Sequence, residues 1–221
     1  MENPSKIKLG SVQETLLLPL WGRAMETQKQ KPLLTDNKAV LIINTIPYDF
    51  SVISENISKI SQLSWIARSI YFDNKIKKFI DLHPEGTIVN IGCGLDTTFD
   101  RIDNGKIHWI DLDLPDVIDL RMKYIAQSER RQFVSKSVFD RTWYSSIRQK
   151  NNVMLLIAGV IYYFDESEIK RLFNDFHDFL PGTEVIFDYA SKAGIKMSNK
   201  RVIEKGGMDK SAYLKWGIDD I

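Results

Sequence analysis

Two glycines one residue apart and two acids further on are the residues whose types and spacing could do chemistry. Gly92 and Gly94 follow Thr87-Ile88-Val89-Asn90-Ile91, a β-branched run that comes straight after the breaker Pro84-Glu85-Gly86. Glycine lets a backbone turn sharply and come close to a ligand that a Cβ would push away. Helical sequence follows, which predicts a ring of free N–H groups at the turn. Asp111 and Asp113 lie about 20 residues past the first glycine, where an acid accepts hydrogen bonds from ribose hydroxyls. Strand alternation puts both carboxylates on one face with Leu112 opposite; the alternative is that they cap the helix opened by Pro115. The sixth position of the turn is Thr97, where a dinucleotide fingerprint needs a small residue for close helix packing. The turn also lacks the Lys-Ser/Thr of a P-loop. A nucleoside without a pyrophosphate fits these residues better, and S-adenosylmethionine is the common one.

The elements that must position these residues alternate. Strands are predicted at 87–91, 107–113, 133–138, 153–158 and 183–189. Helices lie between them at 97–102, from Pro115, and over 166–180. That order predicts an α/β fold with a parallel sheet and right-handed crossovers. Asp165 and Glu168 form a capping-box pattern ahead of Ile169, Leu172, Phe173, Phe176 and Phe179, the clearest amphipathic run in the chain. Val117, Ile118, Met122 and Ile125 mark the apolar face of the helix from Pro115. Ahead of the first strand stand helices at 11–27, a short one capped by Asp36, and a long pattern over 54–82 in two pieces. We expect residues 1–82 to form a helical cap over the pocket and 83–221 the α/β core, in one structural domain. A helical piece is also expected over 195–203, followed by a Gly206-Gly207 break.

Composition narrows the function classes. The 221 residues carry 30 Lys plus Arg against 29 Asp plus Glu, so no charge excess argues for nucleic acid or an anionic membrane. The short basic clusters, such as Lys75 to Lys78, read as solvated helix faces. One cysteine, Cys93, excludes an internal disulfide framework and a cysteine-based zinc site, and suits a reducing cytoplasm. No stretch reaches the roughly 20 apolar residues of a membrane span. The expected partner is a small molecule, with no metal. His83, His108 and His177 read as loop, strand-opening and solvated helix residues. Cys93 reads as a small residue between glycines rather than a nucleophile.

Several segments together resemble the leucine carboxyl methyltransferase family, which includes the O-methyltransferases of polyketide synthesis of the tetracenomycin type. Val89 to Arg101 resembles its cofactor motif and Trp109 to Ile118 its second-strand signature. Ala67-Arg68-Ser69 with Asp73 resembles its arginine segment, and Gly159 to Phe164 the segment after strand four. Pro181-Gly182 to Asp188 and Lys215-Trp216-Gly217 match further. The resemblance implies the Rossmann-like, doubly wound sheet of class I methyltransferases. It implies S-adenosylmethionine as cofactor and transfer of its methyl group to a hydroxyl or carboxyl oxygen of a small, polyketide-like molecule. Family members continue past Trp216-Gly217 with two more strands, so the resemblance implies that the last two strands are absent here.

Position by position, the resemblance implies that Gly92 and Gly94 approach the methionine part and that Asp113 holds the ribose; Asp111 is a candidate from its place on the same strand face. Arg68 pairs with the methionine carboxylate, a task suited to a guanidinium fork, and Arg23 corresponds to a second basic residue there. Cys93, Asp96, Leu114, Ser137, Val138, Ala158 and Gly159 complete the cofactor wall. Two positions depart from the family: Ser137-Val138 replaces an acid near the adenine, and Ala158 stands where many members have Glu. Tyr162, Tyr163 and Asp188 fall near the carboxyl edge of the sheet. These departures keep open a cofactor-binding protein without catalysis or a fragment, and a nicotinamide oxidoreductase is the lesser alternative.

Overall fold

A computed structural model describes residues 15–204 and 212–219. The predicted helix from Ser11 falls partly outside them; its described part is α1 (Leu17–Thr27). Next come α2 (Asn37–Thr45), α3 (Ser51–Asn56) and α4 (Lys59–Leu82). Asp36 caps α2 by accepting the Ala39 N–H at 2.9 Å, as its position ahead of the helix predicts. The long 54–82 pattern breaks at Ile57–Ser58, where the Ser58 hydroxyl accepts the Ser61 N–H and starts α4.

The core then alternates through β1 (Thr87–Ile91), α5 (Thr98–Ile102), β2 (His108–Asp113), α6 (Pro115–Met122) and β3 (Arg131–Ser135). A 3-10 turn at Arg141–Ser146 leads to β4 (Val153–Ile157), a second at Ile161–Tyr163 to α7 (Glu166–Phe179), β5 (Glu184–Phe187) and α8 (Lys192–Ser198). A π-helical turn, Asn199–Glu204, extends α8 through the predicted 195–203 segment. Gly206-Gly207 lies outside the described residues. The third strand begins two residues before its predicted start. Arg131 hides its charge in ion pairs beneath the sheet, so its polarity does not mark it as strand.

All strand pairs are parallel, in the order β3-β2-β1-β4-β5. The central strands β1 and β4 are buried along their whole length, which is why β4 reads as an unbroken apolar run and β1 as a β-branched one interrupted by Asn90. One face of the sheet packs Val89, Leu155 and Ile157 against Ile169, Leu172 and Phe176 of α7. The other packs Ile88, Trp109 and Leu156 against Phe72, Ile76 and Phe79 of α4. A third cluster joins Leu17, Leu20 and Ala24 of α1 to Ile42 of α2, and to Leu95 and Leu120 beside the glycine turn. Among the described residues no helix is long and apolar enough to cross a membrane.

Strand order reverses between β1 and β4. In an open parallel sheet the crevice outside the carboxyl ends of the strands at such a point is where a ligand binds.

Candidate cofactor and acceptor site

A cavity of about 670 Å³ opens at that switch point. Its floor is the glycine turn. Gly92 has a φ of 65°, and a Cβ there would sit 2.4 Å from Val160 Cγ2. Any side chain at this position would therefore be both strained and crowded. The walls come from the ends of β2, β3, β4 and β5, and the roof from α1 and α4.

Every residue expected along the cofactor lines this cavity except Asp111. Arg23, Arg68, Gly92, Cys93, Gly94, Asp96, Asp113, Leu114, Ser137, Val138, Ala158 and Gly159 are brought together from six elements and their loops. Asp111 is a correction. It is fully buried, and its Oδ2 accepts from Arg121 Nη2 and Arg131 Nε at 2.8 and 2.9 Å. Its Oδ1 accepts from Asn90 Nδ2 and Trp109 Nε1 at 3.1 and 2.9 Å. Both oxygens are engaged inside the protein, so Asp111 meets no ribose. Alternation puts the two acids on one face, but only Asp113 lies past the cover of the sheet.

The ring of free N–H groups is a second correction. Gly92 and Cys93 donate to the Leu112 carbonyl at 2.8 and 3.2 Å, and Asp96 donates to Cys93. Gly94 donates to Asp113 Oδ2 at 2.7 Å. The turn closes on itself and on β2, so its amides shape the floor and side chains must supply the charged contacts.

Asp113 accepts one backbone N–H on each oxygen, from Gly94 and from Leu114 at 2.8 Å. Burial pushes its carboxyl above the usual range, against the pull of those two amides. Each oxygen keeps a lone pair for a further donor, which fits a ribose diol. Burial also opposes ionisation of Asp96, but Arg23 and Arg101 outweigh it and bring its carboxyl down to about 2. It stays charged at the cavity wall, with Oδ2 accepting the Thr98 N–H at 2.9 Å.

Arg68 leaves α4 and lies over Gly159, whose Cβ, if present, would come 2.8 Å from Nη1. Nη1 donates to Asp188 Oδ2 at 2.8 Å and to the Tyr162 hydroxyl at 3.3 Å. Asp188 also accepts the Gly159 N–H at 2.7 Å and the Tyr162 O–H. Both hydrogen bonds of this guanidinium leave from one nitrogen, so its other donors can serve a ligand carboxylate. Arg23 reaches the wall as expected, but its Nε is held by Asp36 at 2.8 Å and it is almost fully buried. Burial raises the Tyr162, Tyr163 and Cys93 groups above their usual values. No histidine lines the cavity among the described residues.

One residue escaped the sequence reading. Arg121 on α6 has no exposed surface and donates through Nη1 to the Gly94 carbonyl at 2.7 Å. The sequence carried a signal: Arg121 lies four residues after Val117 and three after Ile118, on the apolar face. Met122, expected on that face, is exposed instead.

Residues 17–177 match the sequence profile of leucine carboxyl methyltransferases. The chain belongs to the leucine carboxyl methyltransferase family. The tetracenomycin polyketide synthesis O-methyltransferase TcmP of Streptomyces glaucescens is 29% identical over 183 residues, 82% of this chain and 67% of that protein. The S-adenosyl-L-methionine-dependent methyltransferase dpfgK of Gibberella zeae is 26% identical over 234 residues, 97% of this chain and 78% of its own length. The solved structure of an O-methyltransferase family protein from Burkholderia thailandensis superposes with a TM-score of 0.50 at 14% identity. It covers 93% of this chain and 61% of that one, and shows the fold. This family member is an S-adenosylmethionine-dependent methyltransferase with the class I fold.

The residues present fit that cofactor. Gly92 is packed so closely on Val160 of the cavity lining that no side chain fits there, Asp113 has lone pairs left for a diol, and Arg68 has donors left for a carboxylate.

Proposed function

We propose that this enzyme methylates an oxygen of a small molecule, and that the oxygen enters the cavity already ionised. The observation that carries the reading is that Asp113, from the end of β2, and Arg68, from α4, line one cavity together with Gly92. Asp113 holds the ribose and Arg68 the methionine carboxylate. Gly92 and Gly159 let the backbone close on the ligand between them. Ser137 and Val138 border the adenine from the end of β3. S-adenosylmethionine supplies a methyl group already activated on a sulfonium. The protein's work is to orient the acceptor oxygen in line with it and keep water out, and orientation contributes several kcal/mol.

The choice of acceptor follows from the wall. Asp96 is tied to Arg23 and Thr98, and Asp113 is reserved for the ribose. Asp188 is occupied by three donors, Arg68, the Gly159 N–H and the Tyr162 O–H. Tyr162 and Tyr163 are held protonated by burial. These groups take up a substrate proton poorly, so a carboxylate or an acidic phenol suits the site better than an alcohol. Trp65, Tyr71 and Tyr189 at the wall give such an acceptor apolar surface to rest on.

Two measurements test the reading. S-adenosylhomocysteine at 100 times its Kd should stabilise the protein by about 2.7 kcal/mol. An unchanged melting curve at millimolar ligand defeats the cofactor assignment. Methyl transfer from labelled S-adenosylmethionine to a panel of aromatic acids, phenols and alcohols should favour the acids and acidic phenols. A preference for alcohols defeats the acceptor assignment and leaves the cofactor site standing.

A further inference from the structure

We propose that Arg121 is a positioning residue for the cofactor: it locks the glycine turn in the shape that presents Asp113 to the ribose. The inference rests on the cofactor reading above. Arg121 Nη1 donates to the Gly94 carbonyl at 2.7 Å and reaches the Cys93 carbonyl at 3.4 Å. Its Nη2 donates to Asp111 Oδ2 at 2.8 Å. One guanidinium therefore fastens the turn to β2 from underneath. With these carbonyls directed inward, the Gly94 N–H faces Asp113 and bonds its Oδ2. That N–H shares its peptide plane with the Cys93 carbonyl, which Arg121 reaches at 3.4 Å, and the 2.7 Å bond to the Gly94 carbonyl fixes the next peptide, so Arg121 braces both sides of the residue that bonds the ligand-holding acid.

A comparison within the same network separates this role from simple support. Arg131 is almost as deeply buried and donates to the same oxygen of Asp111 at 2.9 Å. Each of the two guanidiniums keeps one buried nitrogen without a partner among the described residues, Nε in Arg121 and Nη2 in Arg131. Burying two arginines with donors left over is a poor way to gain stability. Their outer contacts differ. Arg131 reaches Asp100 on α5 at 3.0 Å, whereas Arg121 reaches the turn carbonyls. Neither Arg121 nor Arg131 lines the cavity, so neither touches the ligand directly.

The full chain carrying Arg121→Lys, and separately Arg131→Lys, provides the test. A lysine ammonium keeps the charge beside Asp111 but does not form a planar fork spanning Asp111 and the Gly94 carbonyl. Both variants should melt at lower temperature. Titration calorimetry with S-adenosylhomocysteine should show the Kd raised about tenfold or more in R121K and less than about threefold in R131K. In steady state R121K should raise KM for S-adenosylmethionine more than it lowers kcat. Should R121K fail to fold, Arg121→Gln and Arg131→Gln take its place, because a glutamine amide still donates one hydrogen bond. Equal loss of affinity at the two positions, or wild-type affinity in the Arg121 variant, overturns the proposal. Failure of the wild-type protein to bind S-adenosylhomocysteine rejects the cofactor reading instead.

Discussion

At the scale of single residues, Asp96 and Asp113 divide the electrostatics of the cavity. Asp113 has two backbone donors and an inward lone pair on each oxygen, and burial raises its carboxyl. Charge-assisted hydrogen bonds contribute about 1.5–3 kcal/mol each. Asp113→Ala should therefore weaken S-adenosylhomocysteine by roughly tenfold to a hundredfold in calorimetry. Asp96 behaves in the opposite sense. Its carboxyl is lowered from the ordinary 3.8 to about 2, so the folded state binds its proton less well than the unfolded chain. The resulting stability is present above about pH 4 and is lost as pH falls toward 2. Urea unfolding of wild type and Asp96→Asn should differ by on the order of 2 kcal/mol near pH 6 and converge near pH 2. A gap that stays constant with pH would show that Arg23 and Arg101 do not hold this carboxylate ionised.

At the scale of elements, the helices fall into those that build the sheet's support and those that shape the cavity. α7 belongs to the first group: Ile169, Leu172 and Phe176 pack on the far side of β4, and none of them lines the cavity. Leu172→Ala should cost about 2–5 kcal/mol in chemical denaturation, through lost burial and the void left behind. It should leave the Kd for S-adenosylhomocysteine unchanged. α4 belongs to both groups. Its second half packs on β1 and β4 through Phe72, Ile76 and Phe79, while Arg68 near its middle reaches over Gly159. The sequence made these elements legible because both signals are local. Helix α7 carries a 3–4 apolar spacing with a Glu168 carboxylate on the Asp165 N–H, β4 is an unbroken apolar run, and β1 is β-branched at all but Asn90. β3 was less legible because a buried arginine opens it.

At the scale of the whole molecule, a buried ionic joint ties the N-terminal helices to the core. Asp36, the cap of α2, is fully enclosed. Its Oδ2 accepts from Arg23 Nε of α1, Arg101 Nη1 of α5 and the Thr97 hydroxyl after the glycine turn. Arg101 also grips Asp73 of α4 with two bonds of 2.8 Å. Four helices and the end of the turn thus meet at two carboxylates. Removing one partner from such a buried pair typically costs about 3–5 kcal/mol, because the charge left behind has no water. Asp36→Ala should lower stability by that order in urea titration. Hydrogen exchange should rise in α1 and α2 first, since Arg23 of α1 and the cap of α2 meet at the carboxylate that is removed. Uniform protection loss across the chain would argue against a joint between helices and core.

The sequence by itself determined the alternation of strands and helices, the glycine turn, and most residue types that face the cavity. Those features depend on neighbours along the chain: burial periodicity, capping, and the need for glycine where the backbone bends. It also placed Asp113 and Arg68, through the segments that resemble a known family. Tertiary structure alone decided what each charge meets. Two acids on one strand face look alike in sequence, yet Asp111 is closed in by two arginines, an asparagine and a tryptophan, and Asp113 opens on the cavity. The turn's amides look free until β2 comes alongside and the Leu112 carbonyl and Asp113 engage them. Arg121 shows in sequence only that it falls on the apolar face of its helix, and the fold places it against the Gly94 carbonyl. In each case a partner brought across 10 to 28 residues of chain decides whether a polar group serves the interior or the ligand.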